Sequence, residues 1–215
     1  MLNFRWHRHS CFEVSNDASI VMDPHDGSSI GVAAPIANAD VILVSHDHYD
    51  HNATRVVETP SSKVIRAAGQ YEAKGVKIAG VRAYHDEAKG AKRGEITIFK
   101  FEVDGIAFCH MGDTGHVIDD ETAAKIGNVD ILMLPVGGTF TLDAAGAWET
   151  VKKLKPKVVV PMHYRIPGLS LMIQTAEPFI KMARANGCEV ENMGNEVELE
   201  KDDLPEKTEV WVFSP

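Results

Sequence analysis

The feature that most constrains this chain is the run His46-Asp47-His48-Tyr49-Asp50-His51, which has the pattern HxHxDH. It directly follows the apolar residues 41–45, which have the composition of a β-strand. Imidazole nitrogen and carboxylate oxygen are ligands for borderline divalent metals such as zinc. A loop that leaves a strand can turn these side chains toward one point. The run therefore predicts a metal site at a strand end, and the alternative is a polar loop exposed to solvent.

Three further candidate ligands each follow the end of another predicted strand. His85 follows residues 81–84, Asp113 comes shortly after residues 105–109, and His163 follows residues 157–161. A single histidine such as His85 or His163 is more often an ordinary surface or core residue. Ligand sites in sheet proteins gather where strand ends open onto loops, so these positions could converge on one rim with the HxHxDH loop.

The number of candidate ligands indicates the kind of site. Five histidines and two aspartates exceed the four positions of one tetrahedral metal, but they fit two metals that share a carboxylate and a bridging hydroxide. Two divalent cations lower the pKa of bound water and polarise a substrate oxygen, which is the chemistry of hydrolysis. The predicted ligands are His46, His48, Asp50, His51, His85, Asp113 and His163.

The arrangement of apolar runs predicts a layered α/β architecture with helices outside the sheets. Short runs typical of strands occur at 11–14, 19–22, 41–45, 63–66, 76–79, 81–84, 95–101, 105–109, 130–134 and 157–161. Asp104-Gly105 lies between two of them and predicts a hairpin turn. Helices are predicted near 119–127, 143–154 and 174–186, the second with Asp143 as its N-cap. No repeat or linker divides the chain, so we expect one domain over residues 1–215.

Composition narrows the classes of partner. The formal charge of −9 disfavours nucleic-acid binding, and the one dense lysine cluster, at 152–157, falls at a predicted helix end. Apolar runs are far shorter than the roughly 20 residues of a membrane span, and the N-terminus lacks the pattern of a secretory signal. Three widely spaced cysteines predict a reducing, cytoplasmic location.

Several motifs together resemble those of the metallo-β-lactamase superfamily. They are the HxHxDH loop, Gly112-Asp113-Thr114, Pro161-Met162-His163-Tyr164, Arg8-His9-Ser10-Cys11-Phe12, Met22-Asp23-Pro24 and the run at 134–141. The similarity runs from about residue 4 to residue 165. It is greatest to the small branch of metal-dependent hydrolases that includes ascorbate-6-phosphate lactonase-like proteins. That branch often has glycine where this chain has Arg8.

The resemblance implies a four-layered αββα sandwich with two metals at one edge. By motif position, His46, His48 and His85 would hold the first metal, and Asp50, His51 and His163 the second. Asp113 would bridge them. Zinc is the expected ion, and manganese or iron(II) also accept such a ligand set.

Other residues are candidates for orienting ligands or binding substrate. His9 and Asp23 could orient the metal loop, or they could form a buried pair that holds the first strands. The backbone N–H at Gly138 could stabilise an oxyanion, or the segment could be a simple turn. Tyr164 and Arg165 could assist a leaving group or grip an anion, or they could have ordinary packing roles.

The sequence thus predicts a metal-dependent hydrolase in which a metal-bridged hydroxide cleaves an ester, lactone, amide or phosphodiester bond, with Asp50 and Asp113 as catalytic residues. A small anionic metabolite is the expected substrate, by analogy with the similar lactonases. Di-iron flavoprotein, nucleic-acid-processing and glyoxalase II-type relatives carry additional domains for which the chain has little room. A non-catalytic metal-binding or interaction module with the same ligands is the alternative from another class.

Overall fold

Fourteen strands and three α-helices make up the computed structural model, which describes residues 1–215. The strands are β1 (Leu2–Trp6), β2 (Phe12–Ser15), β3 (Ser19–Met22), β4 (Ala39–Leu43), β5 (Glu58–Ile65), β6 (Gly69–Ala73), β7 (Val76–Tyr84), β8 (Glu95–Val103), β9 (Ile106–His110), β10 (Ile131–Pro135), β11 (Val158–Met162), β12 (Val190–Asn192), β13 (Glu196–Leu199) and β14 (Glu209–Val212). The helices are α1 (Asp120–Ile126), α2 (Ala144–Leu154) and α3 (Glu177–Ala185).

The strands form two sheets whose apolar faces pack together. The six-stranded sheet has the order β13-β1-β2-β3-β4-β5, and the eight-stranded sheet has the order β12-β14-β11-β10-β9-β8-β7-β6. Phe4 of β1 stacks on Phe12 of its own sheet, and its ring centre lies 5.5 Å from that of Phe108 in the other sheet. All three rings are fully buried, so burial of aromatic surface joins the two sheets.

The two outer layers are unequal. Helices α1 and α3 contact β7 and β12 of the eight-stranded sheet, and Trp148 of α2 packs against Phe179 of α3. On the six-stranded sheet, Ile42 belongs to a separate small apolar cluster with Val57, which immediately follows a 3₁₀ turn. No residue of the three α-helices belongs to that cluster. The predicted sandwich with helices outside the sheets is confirmed, and its fourth layer is thin. None of the helices has the length and apolar content needed to cross a membrane.

Most of the predicted elements are present. The turn at Asp104-Gly105 has φ values of 50° and 76°, which a tight hairpin turn requires. Helix α2 begins after Asp143, whose carboxylate accepts the backbone N–H of Gly146 at 2.8 Å. The third helix begins at Glu177 rather than near 174.

Five strands were not predicted, namely β1, β6, β12, β13 and β14, and the runs at 76–79 and 81–84 form one strand, β7. Strand β1 carries a usable signal, because its buried Leu2, Phe4 and Trp6 alternate with more exposed residues. The segment beyond residue 167, expected to hold one clear helix, also contributes three strands. Those strands are four residues long or shorter, and their partners lie far away in sequence.

Candidate metal centre

The strand directions bring the predicted ligands to one edge of the sandwich. Strands β9, β10 and β11 run parallel, and β7 runs the same way because both β7 and β9 are antiparallel to β8. Their carboxyl ends therefore share one edge, where His85 follows β7, Asp113 follows β9 and His163 follows β11. In the facing sheet, β4 leads into the loop that begins at His46.

Asp113 lies at the centre of this cluster. Its Oδ2 is 3.2 Å from Nε2 of His51, 3.2 Å from Nε2 of His163 and 3.3 Å from Nε2 of His85. Nε2 of His46 lies 3.7 Å from the same oxygen. One buried carboxylate oxygen thus faces four imidazoles that come from three loops.

Asp23 determines which nitrogen carries the proton in two of these rings. Its carboxylate accepts the Ser45 backbone N–H at 2.7 Å, the Ser45 hydroxyl at 2.6 Å and Nδ1–H of His51 at 2.9 Å. Because the Ser45 proton points to Asp23, Nδ1–H of His46 donates to Ser45 Oγ at 2.9 Å. His46 and His51 are therefore protonated on Nδ1, which leaves Nε2 of each ring as the atom that can bind a metal. Nε2 of His46 also lies 3.0 Å from Nδ1 of His48.

His85 reaches the same state through a different partner. Its Nδ1–H donates to the carbonyl of Phe140 at 3.1 Å, since a carbonyl can only accept. Nδ1 of His46, His51 and His85 is thus engaged elsewhere, and the Nε2 atoms of these rings face the anionic carboxylate of Asp113. Ring nitrogens and a carboxylate oxygen at these distances need a proton or a metal cation between them. Without a metal, the carboxylates of Asp113 and Asp50 outweigh burial and hold the pKa of His51 well above its usual value.

Two buried atoms without a hydrogen-bond partner also indicate that this cluster binds a cation. Nε2 of His51 and Oδ1 of Asp113 are both buried and unpartnered. A buried polar atom in this state costs roughly 1–3 kcal/mol unless it binds something. The residues present therefore fit divalent cations.

The potential ligand atoms form three groups, within each of which all atoms lie within 4.8 Å of one another, and one of these groups is the set of Asp23, His46 and His51 described above. The other two groups correspond to the predicted ligand sets. The first of these is His46, His48 and His85, and the second is His9, Asp50, His51 and His163. The first matches the set that the resemblance implies for one metal. The second matches the other set with His9 added.

His9 differs from the remaining histidines of the cluster. Its Nε2–H donates to Oδ2 of Asp50 at 3.1 Å, so that nitrogen has no lone pair to offer. Burial, reinforced by the nearby imidazole of His163, lowers the pKa of His9 to about 4. A neutral His9 therefore holds the carboxylate of Asp50, which is itself part of the HxHxDH loop.

The charge states of the cluster suit metal binding. Burial lowers the pKa of His46 to about 3, and the neighbouring His51 contributes to the shift. Burial alone would raise the pKa of Asp113, but the imidazoles of His163 and His51 outweigh it and hold that pKa well below its usual value. Neutral imidazole and ionised carboxylate are the forms that ligate metals, so His51, whose pKa is raised by the carboxylates of Asp113 and Asp50, must release a proton when a metal binds.

Four residues at this edge have a left-handed backbone conformation. Arg8, His9, Asp23 and His163 have φ values of 72°, 52°, 44° and 50°, in the left-handed region that costs a side-chain-bearing residue roughly 1–2 kcal/mol. Such strain clusters at functional sites. It also explains the glycine that the family often has at position 8, because glycine adopts this conformation without the penalty.

A cavity of about 300 Å³ opens onto the cluster. Five predicted ligands line it, namely His48, Asp50, His85, Asp113 and His163. The rest of its wall consists of Tyr49, Arg93, Phe140 and Leu171.

Three predicted substrate residues do not reach this cavity. The Tyr164 hydroxyl donates to the carbonyl of Phe213 at 3.3 Å, and burial raises its pKa to about 12. Arg165 is exposed and lines a different groove, beside Thr139. The backbone N–H of Gly138 already donates to the carbonyl of Leu142 at 3.0 Å. These contacts are those of ordinary packing, surface and turn residues.

Ser45 and His110 support the centre without being predicted ligands, and His110 lies at a strand end close to the site, as expected from the sequence. Ser45 links Asp23 to His46, as described above. His110 donates from Nε2 to the carbonyl of Ser10 at 2.8 Å and accepts the Gly112 N–H on Nδ1 at 3.2 Å, which fixes the turn before Asp113. The position of Ser45 between a strand and the metal motif was a usable signal, and Phe140 lies in the motif run 134–141, whereas Arg93 carries no signal.

Comparisons with known proteins agree with this architecture. The model of the beta-lactamase superfamily domain matches residues 3–163. A UPF0173 metal-dependent hydrolase of Thermoplasma volcanium is 32% identical, with 74% of this chain and 82% of the relative covered. Its counterpart in Thermoplasma acidophilum is 30% identical, with 76% and 83% covered.

A solved structure points the same way. A metallo-β-lactamase superfamily protein of Thermotoga maritima superposes with a TM-score of 0.80 at 33% identity, and 99% of this chain and 98% of that chain are covered. The superfamily model spans the residues that build the centre, and the relatives span most of the chain. The chain therefore belongs to the metallo-β-lactamase superfamily, within its family of metal-dependent hydrolases.

Proposed function

We propose that this protein is a binuclear metal-dependent hydrolase that cleaves an ester, lactone, amide or phosphodiester bond in a small anionic molecule. The observation that carries the proposal is the set of three imidazoles whose Nε2 atoms all face the Asp113 carboxylate. Nδ1 of each ring donates to another group, as Nδ1 of His85 does to the Phe140 carbonyl, so Nε2 is the atom that each ring offers to a metal.

The proposed ligand sets follow the two groups of atoms. His46, His48 and His85 hold one ion, Asp50, His51 and His163 hold the other, and Asp113 lies between them. Zinc is the expected ion, with manganese or iron(II) as further candidates. Bound divalent ions lower the pKa of water and polarise the scissile bond of a substrate.

Asp50 is proposed to orient the attacking water. Burial alone would raise the pKa of its carboxyl, but the imidazole of His51 outweighs burial and holds the pKa well below its usual range. An ionised Asp50 that lines the cavity can accept a hydrogen bond from water. The Nε2–H of His9 holds the carboxylate in position through Oδ2. Asp113, which is buried, keeps the two ligand sets together.

The whole chain is proposed to act as one domain, because its main apolar core includes residues of both sheets and all three helices. A cytoplasmic location is also proposed. It rests on Cys11, Cys109 and Cys188, which are free thiols.

Metal analysis and a substrate panel test the proposal together. Purified protein should contain about two divalent ions per chain and should hydrolyse at least one ester, lactone or phosphodiester of the panel. Asp113→Asn should lower kcat/KM more than about 100-fold and reduce the metal content. Loss of a residue that hydrogen-bonds to a metal ligand typically lowers activity about 10- to 100-fold, and loss of the ligand itself should lower it more. Asp17→Asn, an exposed change outside the centre, is the control.

The outcome also separates catalysis from the alternative function. Full metal occupancy without turnover on a broad panel would favour a metal-binding module. One ion per chain with undiminished turnover would contradict the binuclear assignment.

A further inference from the structure

Arg93 is the only lysine or arginine in the wall of the metal cavity. Its side chain is half-buried, and no carboxylate oxygen pairs with it, whereas Arg5 and Arg82 each pair with a glutamate. An unpaired guanidinium beside a cavity retains its five N–H donors for a ligand. Neither the motifs nor the predicted ligand sets include this residue.

The loop that carries Arg93 is held in one conformation. The Asp86 carboxylate accepts backbone N–H groups from four residues of this loop, including the Arg93 N–H at 2.7 Å. The other three donors are Ala88, Gly90 and Lys92, at 2.8–3.0 Å. Gly94 closes the loop, because its carbonyl accepts the His85 N–H at 3.0 Å. The backbone of Arg93 is thus fixed relative to a predicted metal ligand.

The side chain is fixed by an aromatic ring. The guanidinium carbon of Arg93 lies 5.4 Å from the centre of the Phe140 ring. Contact with an aromatic face holds a guanidinium without using its N–H donors. Phe140 is itself tied to the centre, because its carbonyl accepts Nδ1–H of His85.

The surrounding charges favour a role for Arg93 in binding an anion. The chain has a net charge of −9, and Asp50 and Asp113 also line the cavity, so an approaching anion meets a largely negative surface. A guanidinium presents a planar fork that matches two oxygens of a carboxylate or phosphate group. No other lysine or arginine lines the cavity, so Arg93 alone can provide this recognition.

We propose that Arg93 binds an oxyanionic group of the substrate, a carboxylate or a phosphate, away from the bond that is cleaved. Arg93 thereby selects small anionic esters or lactones over neutral ones. This inference rests on the proposed hydrolase function, and it makes Arg93 a specificity-determining residue positioned by Asp86 and Phe140.

Binding of simple anions tests the assignment without turnover. Inorganic phosphate and acetate are titrated into metal-free and metal-loaded protein by NMR. Arg93→Gln should weaken binding of at least one probe about tenfold in both states, as loss of a charge-assisted hydrogen bond predicts. Arg93→Lys should retain part of the affinity, and Arg184→Gln, on α3, should change nothing. The probe that responds distinguishes phosphate from carboxylate recognition. Equal affinities in wild type and Arg93→Gln overturn the proposal.

A matched pair of esters tests selection during turnover. The two esters share the scissile bond, and only one carries a terminal carboxylate or phosphate. Arg93→Gln should raise KM for the anionic ester about tenfold and leave kcat and KM for the neutral ester unchanged. Equal losses on both esters would indicate a structural role and contradict the proposal. If wild type hydrolyses neither these esters nor any other compound of the substrate panel, the hydrolase function fails, and the anion titration still decides the role of Arg93.

Discussion

Tyr49 and His51 are two positions apart in one loop, but their side chains meet very different surroundings. His51 is fully buried, and its Nδ1–H donates to Asp23. Tyr49 is 55% exposed and lies on the open side of the cavity. The ligand side of the cavity is fixed by buried hydrogen bonds at His46, His51 and His85, whereas the outer side, with Tyr49 and the proposed ligand His48, is exposed to solvent. We infer that the ligand side determines the reaction and that the outer side determines which molecule is accepted.

Metal removal should produce the largest difference between the two sides. Chelation should abolish activity, and adding metal back should restore it. A metal at 1,000 times its Kd stabilises the fold by about 4 kcal/mol, which corresponds to a rise in Tm of roughly 8–16 °C at this chain length. Hydrogen exchange measured with and without metal should change at 46–51 and 110–114 more than at 86–94. Equal changes in the three segments would argue against the proposed division.

Asp23→Asn tests the hydrogen bonds behind the ligands. The asparagine amide has one acceptor oxygen, so it cannot accept the Ser45 backbone N–H on one side and both the Ser45 hydroxyl and Nδ1–H of His51 on the other, and the ligand tautomers lose part of their support. Metal affinity should fall about 10- to 100-fold, as measured by competition with a chelating dye. Asp130→Asn, outside the centre, is the matched control. Unchanged affinity in Asp23→Asn would show that Asp23 has only a structural role.

Phe140→Leu tests the outer side of the cavity and should have a smaller effect. The backbone carbonyl that accepts from His85 remains, and the aromatic face under Arg93 is lost. KM for an anionic ester should rise about two- to fivefold with kcat unchanged, because an exposed cation–π contact contributes about 0.5–1 kcal/mol. Tyr49→Leu removes another aromatic ring from the cavity wall and should affect anionic and neutral esters equally. A larger effect on kcat than on KM would contradict the prediction.

Asp130→Asn should have the smallest effect, and one confined to stability. Burial alone would raise the pKa of Asp130, but the Ala107 N–H and the Lys201 ammonium outweigh it and hold the pKa below its usual value. Because the folded pKa is lowered, the stabilisation is present above about pH 4 and is lost as the pH falls further. Urea unfolding at pH 7 should show a loss of less than about 1 kcal/mol, since solvent screens this pair. A loss that persists at pH 3 would contradict this explanation.

The predictions from sequence succeeded where the signal was local. The HxHxDH loop could be recognised because its ligands are adjacent, and the fold followed from the motifs and the alternation of strands and helices. His85, Asp113 and His163 were found because each follows an apolar run that ends at the same sheet edge. Strand β13 was missed although its Glu196–Leu199 segment alternates polar and apolar residues, because its partner β1 is almost 200 positions away.

The cavity wall could not be predicted in the same way. Arg93 depends on four backbone donors gathered by Asp86, and such a loop has no periodic pattern. Tyr164 and Arg165 were proposed because they adjoin His163 in sequence. The chain turns at His163, with φ 50°, and the next side chains leave the cavity for the core and the surface.

By itself, the sequence determined the donor types and their spacing, and therefore the metal chemistry that this chain can support. Ligand chemistry depends on the identity of the side chains, which the sequence states directly. Only the tertiary structure decided that Asp113 faces four imidazoles, which nitrogen of each ring is free, and that Arg93 lies beside them. These features depend on hydrogen bonds between residues far apart in the chain, and such contacts exist only once the two sheets have packed together.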